Sequence, residues 1–200
     1  MYQKYQTDAL VLGSRETGEN DRTFTLFTRE FGLIRARASA VRTEKSRMRY
    51  ALQNWARANA GLVRGKRGWR LAGASAIQSA QGDARGVAAF ARIAELTARL
   101  VHGEEKNEYL FAVLAEAHDA LMSAGGGPSF GGQENSSIFG TIEIVCVARV
   151  LYALGYLSAE ALETALFTHT AYTGEHLLEA ETMREKLLSS INRAISETHL

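Results

Sequence analysis

Two periodicities divide the chain. In the front part, apolar and polar residues alternate in short runs. Thr23-Phe24-Thr25-Leu26-Phe27-Thr28 alternates with period two, the pattern of a half-buried strand. Leu33 to Val41 alternates as well and puts Arg35 and Arg37 on one face. Ala9 to Gly13 is an apolar run after alternating Tyr5 and Thr7, and Trp55 to Val63 and Trp69 to Ala74 read as a fourth and fifth strand. Turn residues punctuate these runs at Gly18-Glu19-Asn20-Asp21, at Arg29-Glu30-Phe31-Gly32 and at Gly65-Lys66-Arg67-Gly68, where glycines accept positive φ. Glu44 to Leu52 reads as one or two helical turns. Five short strands with a small helix between the third and fourth is the order of an OB-fold barrel.

From Gly86 onward the spacing is helical. Val87, Phe90, Ile93, Ala94, Leu96 and Leu100 form an i, i+3, i+4, i+7 stripe, and Leu110, Val113, Leu114, Ala117 and Leu121 repeat it within Asn107 to Met122. The short link Gly103-Glu104-Glu105-Lys106 predicts an antiparallel pair. Ser123 to Ser137, rich in Gly and Ser and holding Pro128, predicts a mobile loop. Ser137 to Leu154 is the most apolar helix, closed by Gly155 as a C-cap, and Ser158 caps the next. Glu179 to Ile195 is expected to be the last helix. The expected class is α+β: an OB-fold domain over residues 1–78, then an all-α domain over 79–200 with a Gly/Ser-rich loop near 123–137.

Charge sharpens this division. Fifteen of the 23 Lys and Arg residues fall within residues 1–70, against only six of the 22 acids. That segment is therefore about +9, and the remaining 130 residues, with eight cations and 16 acids, are about −8. Such a concentration of cations is the footprint of a polyanion partner. No stretch approaches 18 apolar residues, so no membrane span is expected, and the N-terminus has no signal-peptide core. Cys146, the single cysteine, lies in an apolar run and reads as a buried thiol of a reducing cytoplasm.

Five motifs carry a resemblance. Thr7-Asp8-Ala9-Leu10-Val11-Leu12, Glu19-Asn20-Asp21-Arg22, Leu26-Phe27-Thr28-Arg29-Glu30-Phe31-Gly32, Lys45-Ser46-Arg47 and Ala51-Leu52-Gln53 follow one another as in the N-terminal OB-fold of the bacterial recombination mediator family RecO. Glu95 to Leu100, Leu151 to Leu157 and Ile195-Ser196-Glu197 resemble later family segments more loosely. The chain departs from the pattern in three places. Gly155-Tyr156 is not followed by the four-cysteine zinc knuckle of many members, and Ala40 and Asn54 stand where the family often shows Gly and Pro. The resemblance implies a non-enzymatic protein of recombinational repair. It would bind single- and double-stranded DNA, anneal complementary strands, act with RecR and SSB, and help load RecA onto coated DNA.

Candidate DNA contacts follow from charge and placement. Arg35, Arg37, Arg42, Lys45, Arg47 and Arg49 put six cations in 15 residues, offset by Glu44 alone. Phosphate binding needs long cations at such spacing. Arg64, Lys66, Arg67 and Arg70 decorate the last hairpin, where OB-folds flank their groove, and Arg15 completes the set. Trp69 beside Arg70 is the best base-stacking candidate, whereas Phe24 and Trp55 read as core and Phe27 falls out of phase with Phe24. Tyr50 is a further aromatic of this region. Asn20 and Asp21 read as turn-holding residues, with Arg22 pairing to Asp21 or Glu19. Arg99 and Arg149 are candidates for a basic rim that would hold an acidic SSB tail.

No catalytic constellation is legible. No two histidines stand four apart, and His169 and His176 with Glu175 are too few for a metal site. Gly125-Gly126-Gly127 lacks the Lys-Ser/Thr of a phosphate loop. The expectation is therefore no metal, no cofactor and no enzymatic activity. The competing reading is a generic OB-fold RNA- or single-strand-binding module without mediator activity.

Overall fold

A computed structural model describes residues 3–124, 135–162 and 164–197. The front part is a closed five-stranded barrel of β1 (Lys4–Thr17), β2 (Asp21–Thr28), β3 (Gly32–Ala38), β4 (Arg57–Gly65) and β5 (Gly68–Gln78), with the short helix α1 (Met48–Ala51) between β3 and β4. The strand order around the barrel is β1-β2-β3-β5-β4, with β4 returning to β1. That is the OB-fold connectivity, closed by one parallel pairing of β3 with β5.

Alternation builds the barrel core. In β3, Ile34, Ala36 and Ala38 point inward while Arg35 and Arg37 point out. Phe24, Leu26, Val11, Leu62 and Leu71 complete the interior. The turns are closed by positive φ at Gly18, Gly32 and Gly68, as their positions between strands predict. Gly32 is doubly required, because a Cβ there would stand 2.2 Å from the Glu105 carbonyl oxygen.

Two details of the barrel differ from the sequence reading. β4 begins at Arg57, and Trp55 sits in the preceding turn, half-buried at φ 67°. Phe27 and Thr28 are both fully buried, so the alternation of β2 stops at its C-terminal end.

The chain divides into two compact units. The first is residues 1–80 with 94–108, and the second is 81–93 with 109–200. In the first, the link at residues 103–107 is tied down by Lys106 to Glu30 (3.7 Å) and Glu104 to Arg64 (3.2 Å). The helices are α2 (Ala84–Leu100), α3 (Glu108–Ser123), α4 (Asn135–Ala153), α5 (Ala159–Leu162), α6 (Gly174–Thr182) and α7 (Arg184–Glu197).

Within the second unit, the first part of α2, residues 84–93, runs antiparallel to α3, as the short link predicts. Gly86 lies against Leu121, where a Cβ would meet the carbonyl oxygen at 2.4 Å, and the Phe90 ring lies 4.9 Å from His118. Gly155 closes α4 with a Schellman motif: at φ 80° it lets Tyr156 N–H reach the Leu151 carbonyl and its own N–H the Tyr152 carbonyl. The expected single last helix is two, broken at Met183, with Thr173 capping α6. Most of the predicted Gly/Ser-rich loop, residues 125–134, lies outside the described residues.

Candidate nucleic-acid interface

The barrel's registers align arginines that the sequence scatters. Arg15 of β1 lies opposite Thr23 of β2, Thr23 opposite Arg37 of β3, and Arg37 opposite Arg70 of β5. Directly paired residues on one face stand about 4.5–5.5 Å apart. One row across four strands thus reads Arg15, Thr23, Arg37, Arg70. The next row places Thr25 beside Arg35. These arginines are exposed, because period two sends every one of them away from the core.

Like charges directly opposite repel, so Arg37 beside Arg70 needs compensation. Asp21 supplies it. Its Oδ2 accepts from Arg37 Nη2 at 2.6 Å and from Nε at 2.9 Å, and its Oδ1 accepts the Ala40 N–H at 2.8 Å. The Ala40 N–H, the Arg37 hydrogen bonds and the nearby Arg37 and Arg70 charges hold the Asp21 carboxyl below its ordinary range. The Ala40 contact also fixes a strained residue. Ala40 has φ 52°, a left-handed conformation that favours glycine, where the resembling family often shows Gly. Asp21 therefore holds its turn, as the sequence predicts, but pairs with Arg37. Arg22 pairs instead with Glu16.

The remaining cations sort by partner. Arg42 bonds Glu16 (3.2 Å) and the Glu19 carbonyl (2.9 Å), and Arg64 is pinned by Glu104. Arg15, Arg35, Lys45, Arg47, Lys66 and Arg67 form no ion pair among the described residues. Lys66 and Arg67 sit on the β4–β5 turn, as predicted. Arg49 lies over the Tyr50 ring, 4.7 Å from its centroid, and donates to its hydroxyl.

Two expected contacts are corrected. Trp69 is only 5% exposed and packs edge-on against Tyr5 and at a tilt against Phe31, with Arg64 lying over it. Its position on β5 points it into the barrel, so it cannot stack on a base. The exposed aromatic beside the cations is Tyr50, at 60%. Its place in the helical turn beside Arg47 and Arg49 is visible in the sequence.

Arg149 is the second correction. It is fully buried on α4, its Nε donating to the Leu166 carbonyl and Nη1 to those of Thr170 and Ala171. Its guanidinium also lies 4.7 Å from the Tyr172 centroid. It ties down the segment that follows α5 and presents no charge to a partner. Arg99 is exposed in the last turn of α2.

Other chemistry is quiet. Cys146 is buried, and burial pushes its thiol up to about 12 despite the Tyr172 hydrogen bond and the Arg149 charge. Its neighbour Tyr172 is raised well above the ordinary value, again by burial. The His169 and His176 rings stack at 5.3 Å, an arrangement their sequence spacing does not reveal. Among the described residues, no group of three or more His, Cys, Asp or Glu is placed to hold a metal ion. Nor is any described helix long and apolar enough to cross a membrane.

Comparison with known proteins agrees with the barrel. Residues 1–80 match the family model "Recombination protein O N terminal". The chain is 52% identical over 62 residues to the DNA repair protein RecO of Desulfitobacterium hafniense, covering 31% of this chain and 23% of that one. It is 33% identical over 131 residues to the RecO of Myxococcus xanthus, covering 64% and 54%. It is 28% identical over 167 residues to the RecO of Gloeothece citriformis, covering 82% and 59%. The matched stretches span less than two thirds of each relative's length. With its five-stranded barrel in the OB connectivity, the N-terminal part of the chain, residues 1–80, is similar to the N-terminal domain of the RecO family.

Proposed function

We propose that this chain is a non-enzymatic DNA-binding protein of recombinational repair. In this reading it holds single- and double-stranded DNA on the barrel, anneals complementary strands, and helps load a RecA-type recombinase onto SSB-coated DNA with a RecR-type partner. The relatives' names, all DNA repair proteins, support the repair role. The observation that carries the binding surface is the exposed arginine row Arg15, Arg37, Arg70 with Arg35 beside it. Cations in register match the regular charge of a phosphate backbone, and the bases remain free for pairing.

The mechanism is electrostatic. Two complementary strands repel through their phosphates. A barrel with cations on the β-face and also on the turn at Lys66-Arg67 and the loop at Lys45 to Arg47 neutralises two backbones together. Base pairing then supplies the selectivity. Neither step makes or breaks a covalent bond.

Annealing of complementary oligonucleotides, bare and SSB-coated, across a salt series tests this. Acceleration on both substrates that fades with salt is the expected result. Binding without acceleration would leave a generic single-strand- or RNA-binding OB-fold. Arg99 remains the candidate for an SSB-tail contact, tested by whether Arg99→Glu slows annealing on coated strands only.

A further inference from the structure

A cleft of about 220 Å³ is lined by Arg22, Phe24, Val41, Arg42, Arg49 and Leu52. Its apolar members belong to the barrel core or close it: Phe24, Val41 and Leu52 are each at most 2% exposed. Its polar members are three arginines. The space far exceeds the roughly 10–15 Å³ one water needs. Three cations therefore surround a volume that fits a small anionic group.

Glu16, outside the cleft lining, shows that one anionic group can engage two of these arginines. One of its carboxylate oxygens lies 3.4 Å from Arg22 Nη2 and the other 3.2 Å from Arg42 Nη1. A single anionic group thus bridges two of the arginines, with its side chain 56% exposed and free to swing away. The Nε of Arg22 is buried and bonds no acceptor among the described residues. Arg49 completes the ring and stacks on exposed Tyr50 at the rim.

The charge balance selects the ligand. Three arginines, always protonated, line the cleft and no acid does, which favours a dianion over a monoanion. A backbone phosphodiester carries one negative charge, whereas a phosphomonoester carries about −1.5 to −2 at neutral pH. Tyr50 offers a face on which a neighbouring base can stack.

We propose that this cleft binds the terminal phosphomonoester of a nucleic-acid strand between Arg22, Arg42 and Arg49, drawing Arg22 and Arg42 away from Glu16. The proposal rests on the nucleic-acid-binding reading of the barrel and adds preference for phosphorylated ends to it. Glu16 engages Arg22 and Arg42 while no strand end is bound, and Tyr50 turns phosphate capture into capture of a nucleotide.

The test is fluorescence anisotropy with one short oligonucleotide carrying a 5′-phosphate, a 3′-phosphate or hydroxyl ends. Wild type is expected to bind one phosphorylated form about tenfold tighter than the hydroxyl form. That ratio is expected to fall to about one in Arg42→Gln and in Arg49→Gln, and to rise in Glu16→Gln. It should also shrink below about pH 6, where the monoester loses its second charge. Inorganic phosphate should compete away the excess and leave the hydroxyl-ended complex in place. Circular dichroism checks that each variant keeps the barrel. Equal affinity of wild type for all three ends, with binding intact, overturns the end-binding proposal alone. Absence of binding to any oligonucleotide overturns the parent reading as well.

Discussion

The two units use arginine in opposite ways. In the barrel unit, Arg15, Arg35, Arg37 and Arg70 stand outward on alternating strand positions, and most find no acid. In the helical unit, Arg149 is fully buried and gives its donors to three backbone carbonyls. One arrangement leaves charge available to a ligand; the other consumes it inside. The lesson is that a cation's neighbours in the sequence decide its role. Arg35 and Arg37 alternate with apolar residues, so the pleat must expose them. Arg149 lies within Ile142 to Leu151, a helix apolar nearly all round, and such a helix has no wet face.

The largest predicted effect falls on the buried arginine. Arg149→Leu removes the donors of three carbonyls and is expected to destabilise the helical unit by about 3–5 kcal/mol, read by denaturant unfolding. Recovery of most of that loss by Arg149→Lys would show that the charge matters more than the fork. An undiminished stability of Arg149→Leu would erase the contrast.

The barrel's counterpart is Gly32. Gly32→Ala places a Cβ against the Glu105 carbonyl at positive φ, and a loss of about 3 kcal/mol is expected in the barrel's unfolding. Ala40→Gly works in the other direction. Relieving the left-handed strain at Ala40 is expected to raise the melting midpoint, by about 1 kcal/mol in stability. No gain there would mean that Asp21 fully offsets the strain.

The smallest effect sharpens the role of Asp21. Its folded carboxyl is held below its unfolded value, so its contribution is present above the ordinary carboxylate range and is lost as pH falls through the folded value. Asp21→Asn is therefore expected to be less stable than wild type at pH 7, and the gap should narrow on acidification. A gap independent of pH would leave only the Ala40 hydrogen bond as its cause.

Much of the barrel was legible because strands of period two and turn glycines fix the order of elements locally. The resemblance of five short motifs reached the same fold. The arginine row was half legible: Arg35 and Arg37 share a face by spacing, but Arg15 and Arg70 join them only through the inter-strand register, which no local pattern encodes. Trp69 reads as exposed from its hairpin position, whereas barrel closure turns it inward against Tyr5 and Phe31. The cleft of Arg22, Arg42 and Arg49 joins residues from β2, the loop after β3 and α1. In the helical unit, the stripe and the Gly155 cap were readable. The break at Met183 was not, because the apolar spacing of α6 runs on into α7.

Arg37 is a poor target for the decisive experiment, since its reversal would also set a carboxylate against Asp21. Arg15, Arg35 and Arg70 are the cleaner choice. The measurement is the salt dependence of oligonucleotide affinity for wild type and for the triple variant Arg15→Glu, Arg35→Glu, Arg70→Glu. If the barrel face is the interface, the variant stays folded, binds far more weakly, and shows a salt slope smaller by about two to three. Unchanged affinity and slope in a folded variant would contradict the account and move the nucleic acid to another surface.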